Sequence, residues 1–88
     1  MLYKVIYTKK AIKSLKRIDQ AQQRFIVSWI EKNLINTEDP KALGKNLKGN
    51  LKEYWRYRVG NYRILADIDN DAIKIIIFNI GHRKDIYS

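Results

Sequence analysis

The chain has 88 residues, of which 45% are hydrophobic, and its 18 Lys and Arg against nine Asp and Glu give a formal net charge of +9. A chain this short predicts a single domain over residues 1–88, and the absence of cysteine excludes disulfides and thiolate metal sites. No apolar run reaches the roughly 18 residues of a membrane span, and no signal peptide is visible, so we expect a cytoplasmic protein. The basic excess favours a polyanionic partner: nucleic acid first, an acidic protein second and a membrane surface last.

The first forty residues predict one strand followed by two helices. Residues 2–7 are β-branched and aromatic with one lysine, which predicts a buried strand. Thr8 can cap a first helix whose apolar residues recur at helical spacing, namely Ile12, Leu15 and Ile18. A second helix is predicted after Asp19, with an apolar stripe formed by Ala21, Phe25, Ile26, Trp29, Ile30 and Leu34. Pro40 disfavours helical geometry in the residue before it, so this helix ends at or before Asp39.

The middle segment, residues 41–52, has a mixed pattern. Leucines recur every four residues, at Leu43, Leu47 and Leu51, and a second row is basic, with Lys41, Lys45, Lys48 and Lys52. This pattern is typical of a short helix or loop with an apolar underside and a basic rim, although the glycines in it weaken a helix.

The last third predicts an antiparallel meander. Residues 53–59 and 62–68 alternate between two faces and are joined by Gly60–Asn61, which permits a tight turn. After a turn at 69–71, residues 72–81 are apolar on both faces and predict a central strand that ends at Gly81. The element order β-α-α-β-β-β predicts an α+β fold, with two N-terminal helices packed on a small mixed, mainly antiparallel four-stranded sheet.

Strand alternation gathers arginines on one face of the predicted sheet. The aromatic and apolar positions of residues 53–59 are predicted to face the helices. Arg56 and Arg58 then point to the opposite, open face, and Arg63 joins them across the hairpin. Three guanidinium groups on one sheet face repel each other, so a phosphate-binding surface explains them better than a merely solvated face.

The chain closes with ionisable groups directly after the last strand. His82 is the only histidine, a residue type suited to proton transfer near neutral pH, although a lone histidine also fits a structural role. No P-loop, serine triad or metal-ligand spacing accompanies it, which leaves metal-free work on a phosphodiester. RNA supplies its own nucleophile, the 2′-OH, so a protein needs only to orient it, move protons and stabilise the negative transition state.

Three stretches resemble bacterial toxins of the RelE/ParE superfamily: "LKG" at 47–49, "EYWRYRVGNYRILADI" at 53–68 and "FNIGHRKDIY" at 78–87. The last is most similar to the RelE branch of type II toxin–antitoxin systems. The resemblance implies an endoribonuclease that cuts mRNA in the ribosomal A site by acid–base attack of the 2′-OH, with no metal or cofactor, and halts translation. It also implies a cognate acidic antitoxin that covers the basic surface and binds operator DNA together with the toxin, and no membrane partner.

The resemblance also assigns catalytic roles. Arg63 occupies the position of an arginine that stabilises the transition state. Arg83 occupies the position of a phosphate-contacting arginine proposed as a proton donor. Tyr87 matches a C-terminal tyrosine that stacks on the substrate base, although its spacing from Arg83 is shorter than in the best-known relatives.

One departure concerns the general base. Arg56 and Arg58 stand where relatives carry a pair of lysines, and an arginine is a poor base because its pKa exceeds ~12. The resemblance implies that His82 can take over proton transfer instead, as a histidine does in several relatives. Arg56 and Arg58, together with Lys45 and Lys48, are expected to bind RNA.

Two other functions stay open at this point. A ParE-like toxin that blocks DNA gyrase without cutting RNA would share the fold, but it has no need of a histidine–arginine–tyrosine cluster. A basic RNA-binding adaptor would bind RNA stoichiometrically and in a salt-sensitive way without cutting it. We carry the RelE-like endoribonuclease forward as the hypothesis.

Overall fold

The computed structural model describes residues 1–46 and 54–86 of the chain. The elements follow one another as β1 (Lys4–Tyr7), α1 (Lys9–Lys16), α2 (Gln20–Asn33), β2 (Gly44–Asn46), β3 (Tyr54–Val59), β4 (Tyr62–Asp69), β5 (Lys74–His82) and α3 (Arg83–Ile86). In this part of the chain the strands form one five-stranded sheet in the order β1-β5-β4-β3-β2. β1 runs parallel to β5 and the other pairs are antiparallel, which confirms the predicted α+β class.

Polar residues fix where the two long helices begin. The Thr8 hydroxyl accepts a hydrogen bond from the Ala11 amide at 3.2 Å, and the Asp19 carboxylate accepts one from the Ala21 amide at 3.3 Å. Each bond satisfies an amide that has no partner within its own helix. α2 ends at Asn33, well before Pro40, so the predicted helix boundaries are confirmed.

The core lies between the helices and one face of the sheet. Its fully buried members come from α1, α2 with the residue that follows it, β3, β4 and β5: Ala11, Ile26, Ile30, Leu34, Tyr57, Val59, Ile64, Ala66, Ile75, Ile77 and Ile80. Three residues of the predicted apolar stripes lie outside it, because Ile12 is 40% exposed, Phe25 is 52% exposed and Ala21 is exposed as well. We call the sheet face that packs on α1 and α2 the helix side. None of the described helices is both long enough and apolar enough to cross a membrane.

The predicted sheet lacked one strand. β2 falls in the segment that was expected to be a helix or loop, and Leu43 just before it is 55% exposed rather than packed underneath. Gly44 makes this strand possible, since a Cβ at this position would overlap the Trp55 indole and crowd the Arg56 carbonyl. Leu47 and Leu51 lie outside the described residues.

Tyr57 anchors the sheet to the loop after α2. Its side chain is fully buried, its ring contacts Trp29 with centroids 5.8 Å apart, and its hydroxyl donates to the Pro40 carbonyl. Burial, and to a smaller extent the Asp39 carboxylate, raises the pKa of Tyr57 above its usual value of 10.0. The neutral phenol is therefore the form that fits the folded state.

Tyr57→Phe is expected to lower the free energy of unfolding at pH 7 by about 1–2 kcal/mol, because it leaves the buried Pro40 carbonyl without its donor. At alkaline pH the parent loses more of its free energy of unfolding than the variant does, so the advantage of the parent shrinks. Above about pH 10 the tyrosine ionises in the unfolded chain while the folded state resists ionisation, so the parent loses stability that the phenylalanine variant cannot lose. Urea unfolding at pH 7 and pH 10.5 measures both effects, and an unchanged gap between the two proteins would contradict the account.

Candidate nucleic-acid interface

Basic side chains from three adjacent strands share the sheet face opposite the helices. Because Tyr57 and Val59 are in the core, alternation places Arg56 and Arg58 on the other face of β3. Arg58 is the register partner of Arg63 on β4. On the same face, Lys45 of β2 lies opposite Arg56, and Gly81 of β5 lies opposite Arg63. We call the surface formed by Lys45, Arg56, Arg58 and Arg63 the arginine face, and the predicted clustering of its arginines is confirmed.

Arg63 differs from its neighbours in burial. It is only 4% exposed, and its Nη1 donates to the Tyr62 carbonyl at 3.1 Å, whereas Arg58 directly opposite is exposed. Like charges directly across a strand pair disfavour the fold, and a cation held away from water costs more than one at the surface. Two arginines paired across adjacent strands, one held in place and one exposed, can both donate to a single anion.

A β-bulge in β5 decides which residues at the strand end reach this face. Leu65 pairs with Asn79 and Ala66 pairs with Ile77, so Phe78 is an extra residue with no partner in β4. An extra residue shifts the alternation beyond the bulge, and Ile77 and Ile80, three positions apart, are accordingly both in the core. As a result Gly81 lies on the arginine face and His82, opposite Tyr62, lies on the helix side.

The structure therefore does not bring His82 together with the arginines. Its ring makes an edge contact with Tyr62, centroids 5.6 Å apart, and Tyr62 packs against the core. Its Nδ1 accepts a hydrogen bond from the Lys84 amide at 3.2 Å and so caps the first turn of α3. Tyr62 and Arg63 are consecutive residues of one strand and point to opposite faces, so His82, which lies opposite Tyr62, is on the other side of the sheet from Arg63.

Arg83 lies at the junction of β5 and α3. Its amide donates to the Asn61 carbonyl at 2.9 Å, which ties it to the β3–β4 turn one position beyond the Tyr62–His82 pair. Its side chain is exposed. The strand therefore extends to His82 rather than ending at Gly81, and the predicted Tyr87 and Lys48 lie outside the described residues.

Two clefts flank the sheet end and differ in chemistry. One, of about 300 Å³, opens on the arginine face between Leu43, Lys45, Arg56 and Arg58. The other, of about 400 Å³, lies on the helix side and is lined by Arg17, Asp19, His82 and Asp85 among others. The second cleft is larger, but its two carboxylates oppose a polyanion, so the cationic cleft suits a phosphodiester better.

Two aromatic residues of the arginine face were missed at the sequence level. Tyr54 shares the parity of Arg56 and Arg58, and its ring contacts that of Phe78. Parity alone could have placed Tyr54 there. The position of Phe78 depends on the three-dimensional pairing of β3, β4 and β5.

Comparison with known proteins identifies the family. The model of the ParE toxin of type II toxin–antitoxin systems matches residues 5–87. Toxin RelE3 of Methanocaldococcus jannaschii is 37% identical over 96% of this chain and 94% of its own length. The chain belongs to the RelE/ParE superfamily of toxins. It is a toxin of a type II toxin–antitoxin system.

Other relatives of this toxin agree with the assignment. Toxin RelG of Mycobacterium tuberculosis is 30% identical over 99% of this chain and 98% of its own length. Among solved structures, the RelBE2 toxin–antitoxin complex of Mycobacterium tuberculosis contains a chain with a TM-score of 0.83 and 26% identity, covering 94% of this chain and all of that one. The fold and the family are thus supported independently.

Proposed function

We propose that this toxin is a ribosome-dependent endoribonuclease that cuts mRNA by attack of a ribose 2′-OH on the adjacent phosphodiester, and so inhibits translation. The observation that carries the proposal is the direct pairing of exposed Arg58 with buried Arg63 on one sheet face. The names RelE3 and RelG of the relatives support the RelE-like activity.

Each residue of the arginine face has a distinct task in this mechanism. Arg58 and Arg56 hold phosphates on either side of the scissile bond, and Lys45 extends this row toward the edge strand. Arg63 is fixed by its bond to the Tyr62 carbonyl and donates to the phosphoryl oxygens as negative charge builds on them. A donor held in place in a site of low water content stabilises such charge more than a mobile surface cation does.

Arg83 completes the set from the strand end. Its exposed guanidinium can contact the phosphate or protonate the departing 5′ oxygen, as the superfamily resemblance suggests. Tyr87 is proposed to stack on a base next to the cut. The 2′-OH gives up its proton to water as its oxygen bonds to phosphorus. The bond from phosphorus to the 5′ oxygen then breaks, and that oxygen takes a proton from Arg83 or from water, so the step balances without a metal ion.

His82 enters this mechanism as a positioning residue. It lies on the helix side, but its Nδ1 holds the Lys84 amide and therefore fixes the turn that carries Arg83. His82→Ala is expected to slow cleavage about fivefold, the equivalent of one lost cap, whereas His82→Asn retains a capping oxygen and near-parent activity. Single-turnover cleavage across pH 5.5–8.5 is the measurement. If both variants lost activity equally and the acidic limb of the pH profile vanished, His82 would be the proton-transfer group first assigned from the sequence.

We further propose an acidic antitoxin as the partner of this toxin. The solved relatives include a RelBE2 toxin–antitoxin complex, and a net charge of +9 suits an acidic protein segment. Such a segment can cover Lys45, Lys48 and the arginine face, or pack along α1 and α2. Operator DNA is then bound by the complex rather than by the toxin alone.

One observation favours a second function. The matching family model describes ParE toxins, and the resemblance links that branch to inhibition of DNA gyrase. A gyrase inhibitor would act by binding a protein and would leave mRNA intact.

The test is primer extension across a defined mRNA bound to ribosomes, with and without the toxin and with ribosomes omitted. Cuts at codon spacing that need ribosomes are the expected result. Folded toxin that leaves the mRNA intact but blocks gyrase supercoiling would contradict the proposal and establish the ParE-like function.

A further inference from the structure

An aromatic pair lies next to the arginine face at its Arg56 end, where Tyr54 is opposite Asp67 of β4. The rings of Tyr54 on β3 and Phe78 on β5 have centroids 5.0 Å apart and are tilted by 54°. Tyr54 shares its strand face with Arg56 and Arg58, and the ring contact places Phe78 on the same face. The two rings thus meet above β4, on the side away from the helices.

Both rings keep accessible surface after packing on each other. Tyr54 and Phe78 are each partly exposed, whereas Leu65, on the same face of the strand between them, is only 6% exposed. Any apolar side chains could cover Leu65, so covering it does not explain why both residues are aromatic. Exposed aromatic rings beside arginines are instead the usual footprint of single-stranded nucleic acid, where cations follow the backbone and bases stack on the rings.

The geometry of the strands suits one nucleotide per step. Alternate residues of a strand are about 6.6 Å apart along its axis, so Tyr54 lies one such step from Arg56. A phosphate on Arg56 therefore brings its own base within reach of the aromatic pair. Phe78 is the extra residue of the bulge, and bulges commonly aim a side chain at a functional site.

We propose that Tyr54 and Phe78 form a stacking platform for a base of single-stranded RNA whose phosphates lie on Arg56 and Arg58. The inference rests on the proposed RNA-cutting function. It adds a contact that depends on the presence of a base and not on the charge of the phosphates. Stacking is sequence-tolerant, because every base has an aromatic face. The platform therefore strengthens substrate binding without fixing a cleavage codon by itself.

The experiment compares two oligomers of equal charge at low salt. One is an unstructured RNA 12-mer with 2′-O-methyl riboses, which cannot be cut, and the other is a 12-mer of abasic nucleotides. Fluorescence anisotropy with the parent toxin is expected to show about tenfold tighter binding of the base-bearing oligomer. Tyr54→Leu and Phe78→Leu should each remove most of this preference while binding the abasic oligomer as the parent does.

Phe25→Leu is the matched control, because Phe25 is an aromatic residue of α2 that is 52% exposed and lies away from the arginine face. It should keep the full preference. Equal binding of the two oligomers by the parent would overturn the proposal and leave the aromatic pair to an apolar segment of a protein partner. Leucine variants that retain the preference would also overturn it.

The same proteins separate this inference from the proposed function. If the parent cuts mRNA on ribosomes but the leucine substitutions leave the base preference unchanged, the stacking platform is wrong and the nuclease proposal stands. A base preference that disappears in the leucine variants, with no cleavage by the parent, would support the platform and refute the nuclease.

Discussion

Arg63→Gln is expected to slow mRNA cleavage on programmed ribosomes by about 10²- to 10³-fold, the usual loss when one fixed donor to a developing oxyanion is removed. Arg63 is 4% exposed, lies opposite Arg58 and is oriented by the Tyr62 carbonyl. Glutamine retains a hydrogen-bond donor but is two bonds shorter than arginine and has no charge. The loss should therefore fall on the rate of the chemical step more than on the affinity for the ribosome, as single-turnover titration will show.

The control for this substitution addresses folding. A buried arginine has packing as well as charge, so thermal unfolding of Arg63→Gln must be measured beside its activity. Arg63→Lys keeps the charge but not the planar fork, and it should recover part of the rate. Parent-like cleavage by folded Arg63→Gln would remove Arg63 from the mechanism.

The second large effect concerns stability. Ile77→Ala is expected to lower the free energy of unfolding by about 2–5 kcal/mol, because it opens a cavity in a well-packed core. Ile77 is fully buried on β5, between Tyr7 of the parallel neighbour and Ala66 of the antiparallel one. A loss of this size is a large part of the roughly 5–15 kcal/mol that stabilises a domain, and the melting temperature should fall by more than about 10 °C.

The adjacent residue supplies the matched comparison. Ile76 has the same side chain on the same strand but points to the face away from the helices and is only partly buried. Ile76→Ala should cost about 1 kcal/mol. Equal losses for the two variants in urea unfolding would show that the core is not confined to the helix side.

The sequence predicted the parts of the fold that have strong local signals. Thr8 and Asp19 are good capping residues, and both begin the helices that they were predicted to begin. Gly60, with a φ of +59°, adopts the left-handed backbone that the predicted hairpin turn requires. The alternation along 53–59 was regular enough to place Arg56 and Arg58 on one face.

Other features had no local signal. Gly44 discourages a strand by propensity, and its place in β2 follows from the position of the Trp55 indole, a contact between distant elements. The strand after residue 72 is apolar on both faces, so nothing in its pattern marks the bulge at Phe78. That bulge decides the face of His82, and this explains why sequence reasoning grouped His82 with the arginines.

Nothing in the sequence pattern indicates that Arg63 is buried. Its neighbours in the chain, Tyr62 and Ile64, predicted a strand with one polar face, and a polar face is ordinarily exposed. The structure instead gives both faces of β4 low exposure, with Arg63 at 4% and Leu65 at 6%. The contrast between Arg58 and Arg63 therefore depends on the central position of β4 in the sheet.

We propose that the arginine face, rather than the helix-side cleft, acts on mRNA. The most direct measurement compares Arg58→Gln with Arg17→Gln by primer extension on programmed ribosomes, because both arginines are exposed but lie on opposite sides of the sheet. We expect cleavage to fall about tenfold or more for Arg58→Gln, as for the loss of a phosphate contact, and to stay at the parent level for Arg17→Gln. Full cleavage by Arg58→Gln together with loss of cleavage by Arg17→Gln would contradict the account and move the site to the cleft that contains His82.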